Sequence, residues 1–219
     1  MKILAVDTAL GACSVAVLDG ERVAAHRFEI MERGHAEALA PMVRDAMREA
    51  RIEFSALDRL AVTTGPGTFT GQRVGLAFMR GLRIALKCPL VGVTTLEAMA
   101  AAAMDEANCK VAAALHDARR GEVYLEAVTD SETLLPAQLQ PFGDAVALLA
   151  RQETKFALAG TAAAAAAKQL KGCIATSIVQ PDALWVARLA LAMAEPDAPP
   201  RPLYLRAPDA KLPSRPAVT

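Results

Sequence analysis

A chain of 219 residues is long enough for one large domain or two small ones, each with its own core. Apolar residues make up 53% and aromatic residues only 4%, so we expect cores built from Ala, Val, Leu and Met. Lys plus Arg equals Asp plus Glu at 24 each, which argues against a protein that holds nucleic acid through its own overall charge, although not against a partner that does so.

The N-terminal residues and the cysteines argue against secretion, membrane insertion and zinc binding. Met1 runs straight into a short apolar strand, without the basic and apolar regions of a secretory signal. No apolar run approaches the roughly 18 residues of a membrane span. The four cysteines lie far apart in the chain, and none has C-x-x-C spacing. We therefore expect a cytoplasmic protein with no membrane contact and no metal site.

The first half indicates three strands followed by alternating helices and strands. A hairpin is predicted at Asp19-Gly20. Pro41 should kink the first helix or start a new turn within it, and an N-cap is expected at Thr94-Thr95. The predicted strands are 3–6, 13–18, 22–28, 60–64 and 90–93, and the predicted helices are 35–50, 71–86 and 96–107.

The second half repeats this pattern in a looser form. The predicted strands are 111–115, 123–128, 156–159 and 174–179, and the predicted helices are 142–151, 161–170 and 181–194. Two rounds of strands followed by alternating helices and strands predict two related α/β domains, which we place at 1–107 and 108–195. Residues 196–219 are too rich in proline for regular structure, so we expect them to lie over a surface or to be disordered.

A Gly-Pro-Gly turn at 65–67 precedes a helix that has more apolar surface than one sheet can cover. The apolar sector of that helix contains Val74, Phe78, Gly81, Leu82 and Ala85. Each interior glycine costs about 1 kcal/mol relative to alanine, so Gly71, Gly75 and Gly81 need a compensating interaction. Either they let the helix lie flat on its own sheet, or they admit the backbone of another helix.

The sequence offers only weak candidates for chemistry. The turn at 65–67 precedes a helix N-terminus, but it lacks the P-loop and G-x-G-x-x-G patterns, and Pro66 removes one N–H donor. Asp7, at the end of a buried strand, could hold a metal or phosphate, or could cap the following turn. The histidines have no second metal ligand at helical spacing, and no nucleophile with a base is recognisable.

Five segments occur in order between Lys2 and about Arg206: ILAVDTALGACSVAV, GPGTFTGQRVGLAFMRGL, PLVGVTTLEAMA, DARRGEVY and PLYLRAP. Together they resemble the bacterial TsaB (YeaZ) family, although that family usually carries serine at the position of Thr68. The resemblance implies an α/β fold with two related domains of the actin, Hsp70 and sugar-kinase (ASKHA) type, each a mixed sheet with flanking helices.

The resemblance also implies a function. Members of this family are non-catalytic partners of a similar catalytic subunit, TsaD, and the ATPase TsaE joins the pair. The machinery transfers threonylcarbamoyl, which TsaC supplies as its adenylate, to N6 of adenosine 37 in tRNAs that read codons beginning with A.

Compared with TsaD, this sequence departs from the catalytic pattern at three places. Thr95 and Met99 stand where TsaD has a His-x-x-x-His metal pair. The turn at 117–121 has side chains where a phosphate-binding turn would have glycines, and LAGTAAAAA keeps only Gly160 of the adenosine-binding glycine pair. The resemblance therefore implies a docking role, no tightly bound cofactor, and a nucleotide only at the interface with TsaD.

We expect the edge formed by Gly71, Gly75 and Met79, beside Leu82, to pack against the equivalent helix of TsaD. Gly75→Leu should then abolish co-purification and leave the fold intact. The flanking helix should complete a four-helix interface through His35, Leu39, Met42, Val43 and Ala46. The same surface could pair two copies of this chain when TsaD is absent.

Arg119 and Arg120, on an exposed turn, could contact a nucleotide at the subunit junction or tRNA, or could simply be solvated. The alternative function is an active ATP-dependent phosphotransferase or carbamoyltransferase in which Asp7 and Asp117 organise Mg²⁺. A peptidase is a weaker alternative.

Overall fold

The computed structural model describes residues 1–152 and 155–206, and it contains two five-stranded sheets with flanking helices. The first half contains β1 (Lys2–Asp7), β2 (Ala12–Asp19), β3 (Arg22–Ile30), α1 (His35–Ala50), β4 (Arg59–Thr63), α2 (Phe69–Leu86), β5 (Leu90–Val93) and α3 (Thr95–Ala107). The second half contains β6 (Val111–Asp117), β7 (Glu122–Thr129), β8 (Thr133–Pro141), α4 (Phe142–Leu149), β9 (Phe156–Ala159), α5 (Ala163–Ala167), β10 (Cys173–Ala175) and α6 (Ala183–Ala192).

The two sheets have the same plan, which confirms the prediction of two related halves. Their strand orders are β3-β2-β1-β4-β5 and β10-β9-β6-β7-β8. In the first sheet β1 is antiparallel to β2 and parallel to β4. In the second sheet β6 is antiparallel to β7 and parallel to β9. Each sheet therefore consists of a three-stranded meander extended by two parallel strands.

Two local features differ from the sequence-based expectation, and a third decides between two alternatives. Helix α1 continues through Pro41 as one helix, so no new helix begins there. Strand β8 was not predicted; it contains Pro136, which a strand tolerates at the edge of a sheet, where β8 lies. The alanine-rich helix α5 is shorter than predicted, since regular helix spans only Ala163–Ala167.

The helices cover the sheets in a pattern that chain order does not reveal. Helices α1 and α2 pack on one face of the first sheet, and α6, from the second half of the chain, packs on its other face. Helix α3, from the first half, packs on the second sheet. The domain boundaries at 107 and 195 therefore separate these two helices from the sheets on which they pack, and residues 207–219 of the predicted tail lie outside the described residues.

The two exchanged helices pack closely because they are rich in alanine. Ala98, Ala100 and Ala103 of α3 are fully buried, as are Ala183 and Ala187 of α6, and the two helices contact each other. Small side chains on both helices allow this close contact between the two halves. None of the helices within residues 1–152 and 155–206 is both long enough and apolar enough to cross a membrane.

Candidate functional site

The Gly-Pro-Gly turn positions α2 against the end of β1. Thr68 is the N-cap of α2, and its hydroxyl accepts a hydrogen bond from the backbone N–H of Gly71 at 3.0 Å. The backbone N–H of Thr68 donates to the carbonyl of Ala9 at 2.8 Å. The turn is therefore tied to the segment that follows β1, and the direction of α2 is fixed from its first residue.

Gly71 and Gly75 allow α2 to lie directly on its own sheet. The hydroxyl of Thr8 donates to the carbonyl of Gly71 at 2.7 Å and accepts from the N–H of Gly75 at 3.0 Å. A Cβ atom at Gly71 would lie 2.2 Å from the Thr8 carbonyl oxygen, and one at Gly75 would lie 2.8 Å from the Thr8 hydroxyl. Of the two explanations for these glycines, the close approach to the chain's own sheet is therefore the correct one.

The expected partner surface is mostly buried inside the chain. Of the nine residues proposed for it, only Leu82 is partly exposed, and the other eight are buried: His35, Leu39, Met42, Val43, Ala46, Gly71, Gly75 and Met79. The structure buries these eight within the chain itself, because an apolar helix face covers its own sheet first, and their part in a partner interface stays a prediction. For example, His35 Nε2 lies 3.0 Å from the carbonyl oxygen of Leu10.

A different face of α2 is open to solvent. Ala77, Gly81 and Ala85 lie one above the other along this face, and all three are exposed. A Cβ atom built at Gly81 would meet nothing within 4 Å, and Ile84 beside it is 75% exposed. We call this set, Ala77, Gly81, Ile84 and Ala85, the outward face of α2.

Asp7 is buried beneath the turn rather than placed in a reaction centre. Its carboxyl accepts a hydrogen bond from the hydroxyl of Thr63 at 2.6 Å and from the N–H of Ala9 at 3.2 Å. Burial raises the pKa of Asp7 from 3.8 to about 7, with Asp182 adding a smaller upward effect. The side chain is completely inaccessible, so it cannot meet a hydrated ion without movement of the fold.

A cleft of about 1000 Å³ lies between the two halves of the molecule. Asp117 and Arg119 line it, whereas Asp7 is absent from its lining. The two aspartates proposed to organise Mg²⁺ therefore do not share this surface. Among the described residues, no group of three or more His, Cys, Asp or Glu side chains could hold a metal ion.

The β6–β7 turn presents Arg119 to the cleft in an unusual backbone conformation. Arg119 and Arg120 have φ values of 66° and 58°, and Gly121 follows at 76°. Residues other than glycine seldom adopt positive φ, so this turn needs support from its surroundings. Asp117 supplies part of it, because its carboxylate accepts a hydrogen bond from the N–H of Arg119 at 2.8 Å.

Residues 200–206, which we call the C-terminal strap, cross the first half of the molecule. The N–H of Leu203 donates to the carbonyl of Thr64 at 2.8 Å. Tyr204 stacks on Phe69 with 5.9 Å between ring centroids, and its hydroxyl accepts from Arg73 Nε at 2.9 Å. The guanidinium of Arg73 also lies 3.4 Å from the centre of the Phe69 ring.

The strap then reaches the second half of the molecule. Arg206 donates to the carbonyl oxygen of Ala118 at 2.6 Å and forms an ion pair with Glu122. Ala118 lies in the β6–β7 turn and Glu122 is the first residue of β7, so the strap holds that turn from outside. The sequence could not distinguish this arrangement from a disordered tail, because these contacts join residues far apart in the chain.

Two carboxyl groups, those of Glu97 and Glu126, lie near each other where α3 meets the second sheet. The hydroxyl of Thr94 hydrogen-bonds to Glu126, which is buried on β7. Burial raises the pKa of Glu126 from 4.5 to about 7, and the nearby Glu97 contributes in the same direction. Thr95 and Met99, in the adjoining turns of α3, are completely buried, so they present no ligand surface.

A model of the family described as TsaD, tRNA N6-adenosine threonylcarbamoyltransferase, matches residues 28–197 of this chain. The Escherichia coli protein named tRNA threonylcarbamoyladenosine biosynthesis protein TsaB is 41% identical over 124 residues, which make up 57% of this chain and 53% of that protein. The chain thus spans about half the length of this relative and of the Haemophilus influenzae protein of the same name.

Solved structures extend the likeness over nearly the whole chain. YeaZ from Pseudomonas aeruginosa has a TM-score of 0.78 at 32% identity, covering 93% of this chain and 99% of that one. The activator of the 2-hydroxyisocaproyl-CoA dehydratase from Clostridium difficile has a TM-score of 0.55 at 10% identity, covering 87% and 94%, and so shares the fold alone. The α/β fold with two mixed sheets and flanking helices is therefore shared with these solved structures, as expected. With its two matching sheets, and with a YeaZ structure matched from end to end, the chain belongs to the TsaB (YeaZ) family.

Proposed function

We propose that this chain is a non-catalytic cytoplasmic subunit that binds TsaD and supports it, together with TsaE, in the transfer of threonylcarbamoyl to N6 of adenosine 37 in tRNA. Family membership supports the modification pathway. The observation that carries the docking role is the outward face of α2, where small and apolar side chains are open to solvent.

The outward face has the properties of a helix-packing surface. Ala77, Gly81 and Ala85 leave a shallow groove along α2, so the backbone of another helix could approach closely. Ile84, at the end of this groove, is 75% exposed, which is unusual for a large aliphatic side chain. Helix α1 contacts α2 and adds exposed Ala36 and Ala40. Two helices of TsaD laid against α1 and α2 would complete a four-helix interface.

The interior supports a non-catalytic role. Asp7 is buried beneath the turn and absent from the lining of the cleft, so it is not placed to organise a reacting phosphate. The β6–β7 turn carries Arg119 and Arg120 where a phosphate-binding turn would have glycines, so its backbone is less open to the close approach of a triphosphate. We propose that the two arginines instead face a nucleotide at the junction with TsaD, or the phosphates of tRNA.

Sedimentation velocity tests the docking role directly. An equimolar mixture of this chain and TsaD should sediment as a heterodimer, whereas the chain alone should show at most a weaker homodimer formed through the same face. If both proteins sedimented as monomers when mixed at micromolar concentrations, the proposed function would be wrong.

The alternative, an active ATP- and Mg²⁺-dependent transferase, is favoured only by the size of the cleft and by Asp117 and Arg119 in its lining. Calorimetry of the isolated chain with ATP and Mg²⁺ separates the two functions. We expect no micromolar binding and no release of phosphate. Turnover of ATP by the chain alone would replace the docking role with the transferase.

A further inference from the structure

We propose that the cleft of this chain binds a small organic anion, a phosphorylated or carboxylated compound, with its anionic group at Arg33 and Arg119 and its polar body against Gln72 and His116. This inference goes beyond the docking role and does not depend on it, because all four side chains belong to one chain and line one cleft.

The first observation is a pair of buried polar groups that lack partners. Within the described residues, the side-chain oxygen of Gln72 and Nδ1 of His116 accept or donate no hydrogen bond. Gln72 is 3% exposed and His116 is 9% exposed. Polar groups buried this deeply almost always have a partner in the protein or in an ordered water, and a bound molecule can take the place of that water.

These two groups approach the cleft from different halves of the molecule. Gln72 lies in the first turn of α2, and His116 lies near the end of β6. In folds of this kind, small molecules bind at the carboxyl ends of parallel strands, and β1 and β6 both end at this cleft. A polar molecule between the walls would give both side chains the hydrogen bonds that they lack.

The second observation is the charge of the lining. Among the residues that the structure describes, four arginines line the cleft, Arg33, Arg73, Arg119 and Arg206, against two acids, Glu32 and Asp117. Arg73 and Arg206 are engaged by the C-terminal strap, and the carboxylate of Asp117 accepts from a backbone N–H. Arg33 and Arg119 form no ion pair with any described residue. They remain available to an anion from solution.

The backbone that carries Arg119 is held before any ligand arrives. Asp117 accepts a hydrogen bond from the backbone N–H of Arg119, and Arg206 donates to the carbonyl of Ala118. The guanidinium on this supported turn can make two parallel hydrogen bonds to a phosphate or carboxylate. The strained φ of Arg119 is explained if the turn is built to present this side chain.

His116 determines what the rest of the ligand can be. Burial lowers the pKa of His116 to about 4, so its ring is neutral at physiological pH and offers hydrogen bonds rather than charge. The ligand therefore needs an uncharged polar body in addition to its anionic group. A cleft of about 1000 Å³ has room for a molecule of nucleoside monophosphate size.

The three histidines of the chain provide a direct spectroscopic test. In the ¹⁵N-labelled chain of 219 residues, the imidazole signals of His116 should shift and saturate when AMP or citrate is added, with a Kd below about 1 mM. Those of His26, which is paired with Asp182 away from the cleft, should not move. Inorganic phosphate should bind at least about tenfold more weakly, since it lacks the polar body.

Variants identify the anion contact. Arg33→Gln and Arg119→Gln should each raise the Kd at least about tenfold, as expected for the loss of a charge-assisted hydrogen bond. Arg151→Gln removes an exposed arginine that does not line the cleft, and it should leave the Kd unchanged. All three arginines are exposed, so these substitutions should not disturb the core. Thermal melting of each variant checks that it is folded.

The outcomes either support or overturn the proposal. Binding of AMP alone supports a phosphorylated ligand, and binding of citrate alone supports a carboxylated one. The proposal is overturned if neither probe gives a saturable shift when sodium chloride matches the ionic strength. It is also overturned if Arg119→Gln binds as tightly as the wild type, or if inorganic phosphate binds as tightly as both probes.

Discussion

Gly75 and Gly81 lie on the same helix, yet their surroundings are opposite. A Cβ atom at Gly75 would lie 2.8 Å from the Thr8 hydroxyl, whereas one at Gly81 would meet nothing within 4 Å. Gly75→Leu is therefore unsuitable for testing partner binding, because it would disturb the contact between α2 and β1. The sequence showed that these glycines need an explanation, but it could not show which face of the helix each one occupies.

This contrast predicts opposite effects of two identical substitutions. Gly75→Ala should lower the free energy of unfolding by about 2 kcal/mol, because the added methyl group displaces the Thr8 hydroxyl from its two hydrogen bonds. Gly81→Ala should raise it by about 1 kcal/mol, because alanine favours the helix and the space is open. Urea unfolding of the two variants measures both effects, and equal effects would contradict the assigned faces.

Glu126 gives a pH-dependent prediction. Its pKa is raised to about 7 in the folded protein, so between about pH 4.5 and 7 the folded state holds a proton that the unfolded state has lost. The contribution of Glu126 to stability therefore falls as the pH rises through this range. Glu126→Gln should match the wild type near pH 4.5 and exceed it by about 2 kcal/mol at pH 8.

Thermal melting at the two pH values measures this difference, and the other titrating groups largely cancel because both proteins carry them. An equal difference at pH 4.5 and pH 8 would mean that Glu126 is not the group responsible. The burial of Glu126 was not foreseen from sequence. On an isolated sheet its face would meet solvent, but α3 covers that face of β7.

Most elements could be predicted from sequence because they depend on local pattern. Helix α1 and strands β5 and β9 begin and end where predicted. The exchange of α3 and α6 between the two sheets could not be predicted, because an alanine-rich helix shows no strongly apolar face that would assign it to either sheet. Strand β8 was missed because it contains Pro136 and because buried and exposed residues do not alternate along it, so its sequence lacks a clear strand pattern.

Because the C-terminal strap contacts both halves of the molecule, we predict that residues 200–206 stabilise the β6–β7 turn against local opening. A chain that ends at Pro199 loses the stacking of Tyr204 on Phe69 and the contacts of Arg206 with the β6–β7 turn. Amide hydrogens of that turn should then exchange at least about tenfold faster. A chain that ends at Arg206 keeps the strap and serves as the control. Unchanged exchange in the shorter chain would show that the turn does not need the strap.

At the scale of the whole molecule, the interior that folds the chain is separate from the outward face of α2, which we propose to bind a partner. The broad apolar face of α2 was read from sequence as a single surface. In the structure its inner part, including Met79, covers β1 and β4, and only the narrow line through Ala77, Gly81 and Ala85 remains outside. Sequence could indicate that α2 has more apolar surface than one sheet needs, but only the packing of α1 and α2 shows which part is left over.

The most direct test of the central claim is the affinity of TsaD for variants of that line. Ala77→Arg places a long cationic side chain in the groove without touching the core, and it should weaken the complex at least about 100-fold in sedimentation or calorimetry. Ala164→Arg, at an exposed position of α5 on the other half of the molecule, should bind TsaD as the wild type does. If Ala77→Arg bound TsaD with wild-type affinity, the outward face of α2 would not be the docking surface, and the proposed docking role of this face would be contradicted.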